Sequence, residues 1–202
     1  MQLIQLETKI AAPPERCFLL SLNIDLHMKS TSPTREVAIA GVTHGVIGSG
    51  ETVTWRGRHF GFILTHQSLI SEYEPPHHFQ DRMLRGMFKS FIHDHYCEAA
   101  SQSHTLMRDE PRFAAPLGPL GWIAETLVLR RYFIRFLRQR NETLRAIAEA
   151  PSAVWEKYLA LEHYRKLTSP GVDAGTTTGL LNSPTKITAI IAPATISSTN
   201  FA

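Results

Sequence analysis

Alternating apolar and polar positions dominate the first half of the chain. Residues 3–10 alternate and predict a first strand. Pro13-Pro14 interrupts, and residues 15–22 read as a short helix with proline at its start. A second short helix is expected over 24–29. Alternation returns over 35–41, 51–60, 61–74, 78–85, 88–99 and 104–113, which predicts a second to a seventh strand. Gly48 and Gly50 turn the chain before the third strand, and Pro75-Pro76 closes the fourth. Gaps of hairpin length argue for an antiparallel meander.

After Pro116 and Gly118 the period changes. Ile123, Leu127, Ile134, Leu137 and Leu144 recur at helical spacing, flanked by Trp122, Leu129, Phe133 and Phe136. One long helix over 120–150 with a broad apolar face is expected. Its arginines (Arg130, Arg131, Arg135, Arg138, Arg140 and Arg145) read as a solvated face suited to a helix C-terminal half, or as a contact for an anionic surface. Residues 152–167 could form one further amphipathic helix through Val154, Tyr158 and Leu161. Beyond residue 168 the only charges are Asp173 and Lys186, and a largely disordered tail is expected over 168–202. The fold class is therefore α+β: a curved antiparallel sheet of about seven strands around a long C-terminal helix, within residues 1–150. A curved sheet wrapped on a helix leaves a gap, the natural place for a ligand.

Composition narrows the class. At 202 residues, 43% hydrophobic and 19% charged, the chain is long enough for one good core. A net charge of +3, with no basic run interleaved with exposed aromatics, gives no reason to expect nucleic acid. Cys17 and Cys97 fit a reducing compartment and no disulfide. No secretory signal and no apolar span of about 20 residues is visible, so a cytoplasmic location without stable membrane insertion is expected. The glycines of residues 44–50 lack a lysine and precede a strand, which rejects a nucleotide cradle.

Strand parity selects the candidate site. One face carries Val53, Trp55, Gly57 and His59 on the third strand, and Phe79, Asp81, Met83 and Arg85 on the fifth. The sixth contributes Phe91, His93, His95 and Cys97, with Lys89 near the rim, and the seventh Thr105, Met107, Asp109 and Phe113. Large apolar side chains thus share a face with His and Asp, as in a lined cavity and unlike a dry core. The expected ligand-binding set is Trp55, His59, Phe79, Asp81, Met83, Phe91, His93, His95, Met107 and Phe133. His93 and His95 with Asp81 or Asp109 read in several ways: a structural network, ligand contacts, a general acid–base pair, or a metal site. Neither HExxH nor CxxC is present, and no metal or cofactor is expected. His77 and His78 follow a proline turn and are expected to be solvated. Cys97 reads as a small buried hydrophobe.

Several short motifs occur in a known order. Ile10-Ala11-Ala12-Pro13-Pro14-Glu15, followed by Phe18, is similar to the opening strand-to-helix motif of the START/Bet v 1-like superfamily, also called SRPBCC. Thr54-Trp55, Arg58-His59-Phe60-Gly61, Pro75-Pro76, Phe79-x-Asp81, Gly86-x-Phe88, His93-Asp94-His95, Thr105-x-Met107-x-Asp109, Phe113 and Pro116-x-Gly118 resemble an uncharacterised bacterial branch of it. The resemblance covers residues 3–149. It implies a helix-grip fold and a cavity for a small hydrophobic or amphipathic ligand, lipid- or polyketide-like. It also admits a cyclase-, dehydratase- or hydrolase-type enzyme using His93, His95, Asp81 or Asp109. Departures are Met87, His104, Pro111 and Cys97. Pro111 should end or bulge the seventh strand, and Cys97 should enlarge the cavity locally.

Overall fold

The computed structural model describes residues 1–116 and 125–159. Two N-terminal strands, β1 (Gln2–Leu3) and β2 (Leu6–Ile10), precede helices α1 (Pro14–Ser21) and α2 (Ile24–Ser30) and a 3-10 turn at Ser32–Thr34. The meander follows as β3 (Val37–Gly41), β4 (Thr52–His59), β5 (Phe62–Glu74), β6 (His78–Arg85), β7 (Ser90–Ser101) and β8 (His104–Ala114). A π-helical turn at Glu125–Leu129 leads into the long helix α3 (Arg130–Ala148). One short helix, α4 (Ser152–Trp155), and a 3-10 turn at Glu156–Tyr158 complete the described chain.

All strands pair antiparallel in one eight-stranded sheet, in the order β1-β8-β7-β6-β5-β4-β3, with β2 also on β8. The register shifts between Gln67 and Ser68 and between Ile70 and Glu72 on β5. Such irregularities sharpen twist and bend, so the sheet curls. α3 crosses its concave face. Leu129, Phe133, Leu137, Leu144, Ile147 and Ala148 form its apolar stripe at helical spacing. Arg16 fastens the far end: it donates to the Ala148 carbonyl at 2.8 Å and its guanidinium lies 4.1 Å from the Trp155 ring centroid.

The expected elements form, with four departures. The first strand divides into β1 and β2. Pro111 neither ends nor bulges β8, which runs on to Ala114 with Pro111 opposite His93. The Pro111 carbonyl accepts from Ile4 N–H at 3.1 Å, so its missing N–H faces the same side, where the edge breaks between β1 and β2. The neighbour absorbs the lost bond. Of the helix expected over 152–167, the described part is α4 and the 3-10 turn to Tyr158, followed by Leu159 with ψ 137°; residues 160–167 lie outside the described residues. The start of the helix expected from 120 and the tail from 168 lie outside the described residues. Finally, His78 is not solvated: it opens β6, is buried, and pairs with Asp94 at 3.1 Å.

Candidate functional site

Between the sheet and α3 lies a cavity of about 160 Å³. Of the residues expected there, Trp55, His59, Phe79, Asp81, Phe91, His93, His95 and Phe133 line it. Met83 and Met107 do not. Met107 is completely buried and holds the Ser21 hydroxyl against its sulfur at 3.7 Å. Met83 lies opposite the lining Ser68, but its sulfur packs at Gly86. Cys97 does not line the cavity either; it is fully buried in the core. Lys89 precedes β7 and points to solvent.

Asp109 stands behind the wall. It is wholly buried and holds His93 Nε2 at 3.0 Å on one oxygen and Asn141 Nδ2 at 2.7 Å on the other. Asn141 also reaches Thr8 Oγ1 at 3.1 Å. His95 Nδ1 lies 2.8 Å from Asp109 Oδ1 but out of line for a hydrogen bond. Arg140, only 5% exposed, approaches at 3.6 Å and donates to the Ser21 carbonyl. Burial works against the Asp109 charge, but the donors and Arg140 win and hold its carboxyl well below the usual range. Burial, helped by His93, pushes His95 down to about 3, so its ring is neutral. Arg140 is thus no part of a solvated face. It interrupts the apolar stripe of α3 because Asp109 is there to meet it.

A second network went unread in the sequence. Glu36 sits between two imidazoles, with His27 Nε2 at 2.8 Å and His59 Nε2 at 3.0 Å. His59 Nδ1 meets the Tyr132 hydroxyl at 2.5 Å. Burial opposes the Glu36 charge, but hydrogen bonds from the two histidines outweigh it and bring its carboxyl down to about 2. An ionised carboxylate only accepts, so His59 carries its proton on Nε2, and in the neutral ring Nδ1 accepts from Tyr132. His27 stacks on Trp55 at 4.2 Å between centroids. Gly57 makes room: a Cβ there would lie 2.6 Å from Glu36 Cγ and 3.1 Å from His59 Nε2. His27, Glu36, His66, Tyr132 and Phe136 all line the same cavity. Only helical spacing could have flagged Tyr132 and Phe136, and nothing local marks His27 or Glu36, which come from the α2 region and the segment before β3.

The wall also holds polar atoms without protein partners. Ser68 Oγ and Asp81 Oδ1 are buried, unbonded and on lining residues. Asp81 faces Ile70 on β5 and His93 on β7, so it stands beside the buried histidines on the sheet's concave face. His93, His95 and Asp109 bring three metal-binding atoms within 4.8 Å of one another. They do not fit a cation well, because the Arg140 guanidinium already supplies the positive charge that Asp109 balances.

No protein-family model matches the chain, and no curated protein does. Solved structures do. A START superfamily protein from Mycobacterium smegmatis is 10% identical with a TM-score of 0.56, over 73% of this chain and 97% of that one. The Zhui aromatase/cyclase from Streptomyces sp. R1128 is 13% identical with a TM-score of 0.54, over 72% and 95%. Major latex-like protein 151 from Panax ginseng is 13% identical with a TM-score of 0.54, over 74% and 98%. Identities this low speak to architecture. Among the described residues no helix is long and apolar enough to cross a membrane. An eight-stranded antiparallel sheet closed around a C-terminal helix, matched over nearly the whole length of these structures, gives this chain the helix-grip fold of START and Bet v 1-like proteins.

Proposed function

We propose that the chain binds a compact amphipathic ligand in the cavity between the sheet and α3. One observation carries the reading: an aromatic cavity contains buried Ser68 Oγ and Asp81 Oδ1 with no protein partner. Buried polar atoms are normally satisfied, and leaving one unpaired costs about 1–3 kcal/mol. A ligand that pairs with them recovers that cost. The volume of about 160 Å³ is near the about 150 Å³ that holds a benzene ring and below the usual pocket range. A lipid- or polyketide-like compound would therefore seat only a terminal ring or chain end.

Native mass spectrometry of the purified chain tests this, with release and identification of any bound compound. A stoichiometric small molecule lost in a His93→Phe variant is the expected result. A chain that stays empty and binds no small aromatic at millimolar concentration counts against the reading.

A second reading, an acid–base enzyme, has its own observation in Tyr132–His59–Glu36. A hydroxyl, a base and a carboxylate orienting that base are the parts of a proton-transfer centre. On this reading the acid–base group is His59 rather than His93 and His95, whose Asp109 is occupied by structural donors. If turnover of the released compound occurs and falls at least a hundredfold in Glu36→Gln, the enzyme reading holds; unchanged turnover removes it.

A further inference from the structure

The polar groups of the cavity are unequal in kind, and the imbalance specifies the ligand. Ionised Asp81 would present acceptors only. His93 spends its Nε2 proton on Asp109, so in the neutral ring Nδ1 is a bare acceptor. Tyr132 spends its hydroxyl proton on His59 and keeps its lone pairs. Both rings line the cavity. On the donor side, Arg140 is engaged by the Asn141 side chain, the Ser21 carbonyl and Asp109. Glu36 is already filled by His27 and His59. Ser68 Oγ and the neutral His66 ring can each turn either way.

The charges lean the same way. Arg140 and Asp109 offset each other, which leaves Glu36 and Asp81 as the remaining acids around the cavity. Burial, opposed by Asp81, lowers His66, and His95 is lowered further, so these rings add no compensating charge at neutral pH. Trp55, Phe79, Phe91, Tyr132, Phe133 and Phe136 supply ring faces, which favour cations and apolar rings over anions.

We infer that the cavity selects a ligand about one aromatic ring in size whose polar head donates hydrogen bonds, a hydroxyl or an ammonium, and that it excludes carboxylates. The inference rests on the cavity being a ligand site. A carboxylate head would bring acceptors to acceptors and a negative charge toward Asp81 and Glu36.

Four probes of matched size test it on the full chain: toluene, 4-methylphenol, benzylammonium and 4-methylbenzoate, titrated at pH 7.5 by amide chemical-shift changes. Toluene reports the apolar cavity alone. We expect 4-methylphenol or benzylammonium to bind at least tenfold more tightly than toluene, and 4-methylbenzoate more weakly than toluene. A preference for the phenol identifies a hydroxyl head, and one for benzylammonium an ionic head. Asp81→Asn should cut the gain of the preferred donor about tenfold, leave toluene unchanged, and raise 4-methylbenzoate because an amide can donate. Tyr132→Phe gives a second variant that keeps the ring. The donor probes binding no better than toluene, or 4-methylbenzoate binding as well as they do, overturns the inference while leaving the cavity a ligand site. Failure of all four to bind overturns both.

Discussion

Replacing Asp109 by asparagine asks whether the buried network is a scaffold. The shape is kept, but the charge is lost and one acceptor becomes a donor. That donor then faces either His93 Nε2, now at 3.0 Å from Oδ1, or Asn141 Nδ2, now at 2.7 Å from Oδ2. Arg140, 5% exposed and 3.6 Å away, is left without its counter-charge. Removing one partner of a buried pair costs about 3–5 kcal/mol. At roughly 2–4 °C per kcal/mol for a chain of this size, the midpoint of thermal unfolding should fall by roughly 6–20 °C. Urea unfolding followed by far-ultraviolet circular dichroism gives the free energy directly. Asp109→Asn with Arg140→Met should recover part of the loss, because replacing a whole buried pair by apolar groups is often neutral. A loss below about 1 kcal/mol, or a double variant additive within about 0.5 kcal/mol, would refute the claim that Asp109 and Arg140 support each other.

Acid should act early. Folded His95 titrates at about 3 against an ordinary 6.5, so the unfolded chain takes its proton first and stability drops as pH falls below about 6.5. Folded Glu36 titrates at about 2 against 4.5; its contribution is complete above about 4.5 and is lost as pH falls toward 2. Melting temperatures measured from pH 7 to 4 should decline, His95→Asn should flatten the upper part, and a level profile in the parent chain contradicts this account. Gly57→Ala places a methyl 2.6 Å from Glu36 Cγ, so it should part Glu36 from His59, cost about 1–3 kcal/mol and alter the His59 imidazole resonances; an unperturbed His59 spectrum would count against that packing. His93→Phe keeps the ring volume but leaves Asp109 Oδ1 without its best donor, so both melting temperature and ligand affinity should fall; affinity alone falling would place His93 in the site and not in the scaffold. Cys17, raised to about 11 by burial, and Cys97, raised well above its ordinary value by burial, should react with Ellman's reagent only on unfolding.

Periodicity carried most of the architecture. A half-buried strand must alternate and a covering helix must repeat every three or four residues, so residues 78–85 read as a strand with the bounds observed for β6. Parity likewise put Trp55, His59, Asp81, His93 and His95 on one face, and they share one cavity. Parity does not settle the course of a long side chain: Met83 lies opposite the lining Ser68, yet its sulfur packs at Gly86. It also cannot report depth, and so could not separate Met107 in the core, or Asp109 behind the wall, from residues facing the cavity. Arg140 and His78 show the other limit. Taken alone, each is a polar residue that belongs in water; each is buried because a carboxylate from a distant strand, Asp109 or Asp94, meets it. The Glu36 network draws on α2, the segment before β3, β4 and α3, with hydrogen bonds spanning 9 residues to His27 and 73 from His59 to Tyr132. Local pattern is set by each element's own need to bury one face. Which polar groups meet is decided only when the sheet curls and α3 lies across it, because charge pairing depends on distance in space, and sequence spacing does not encode that distance.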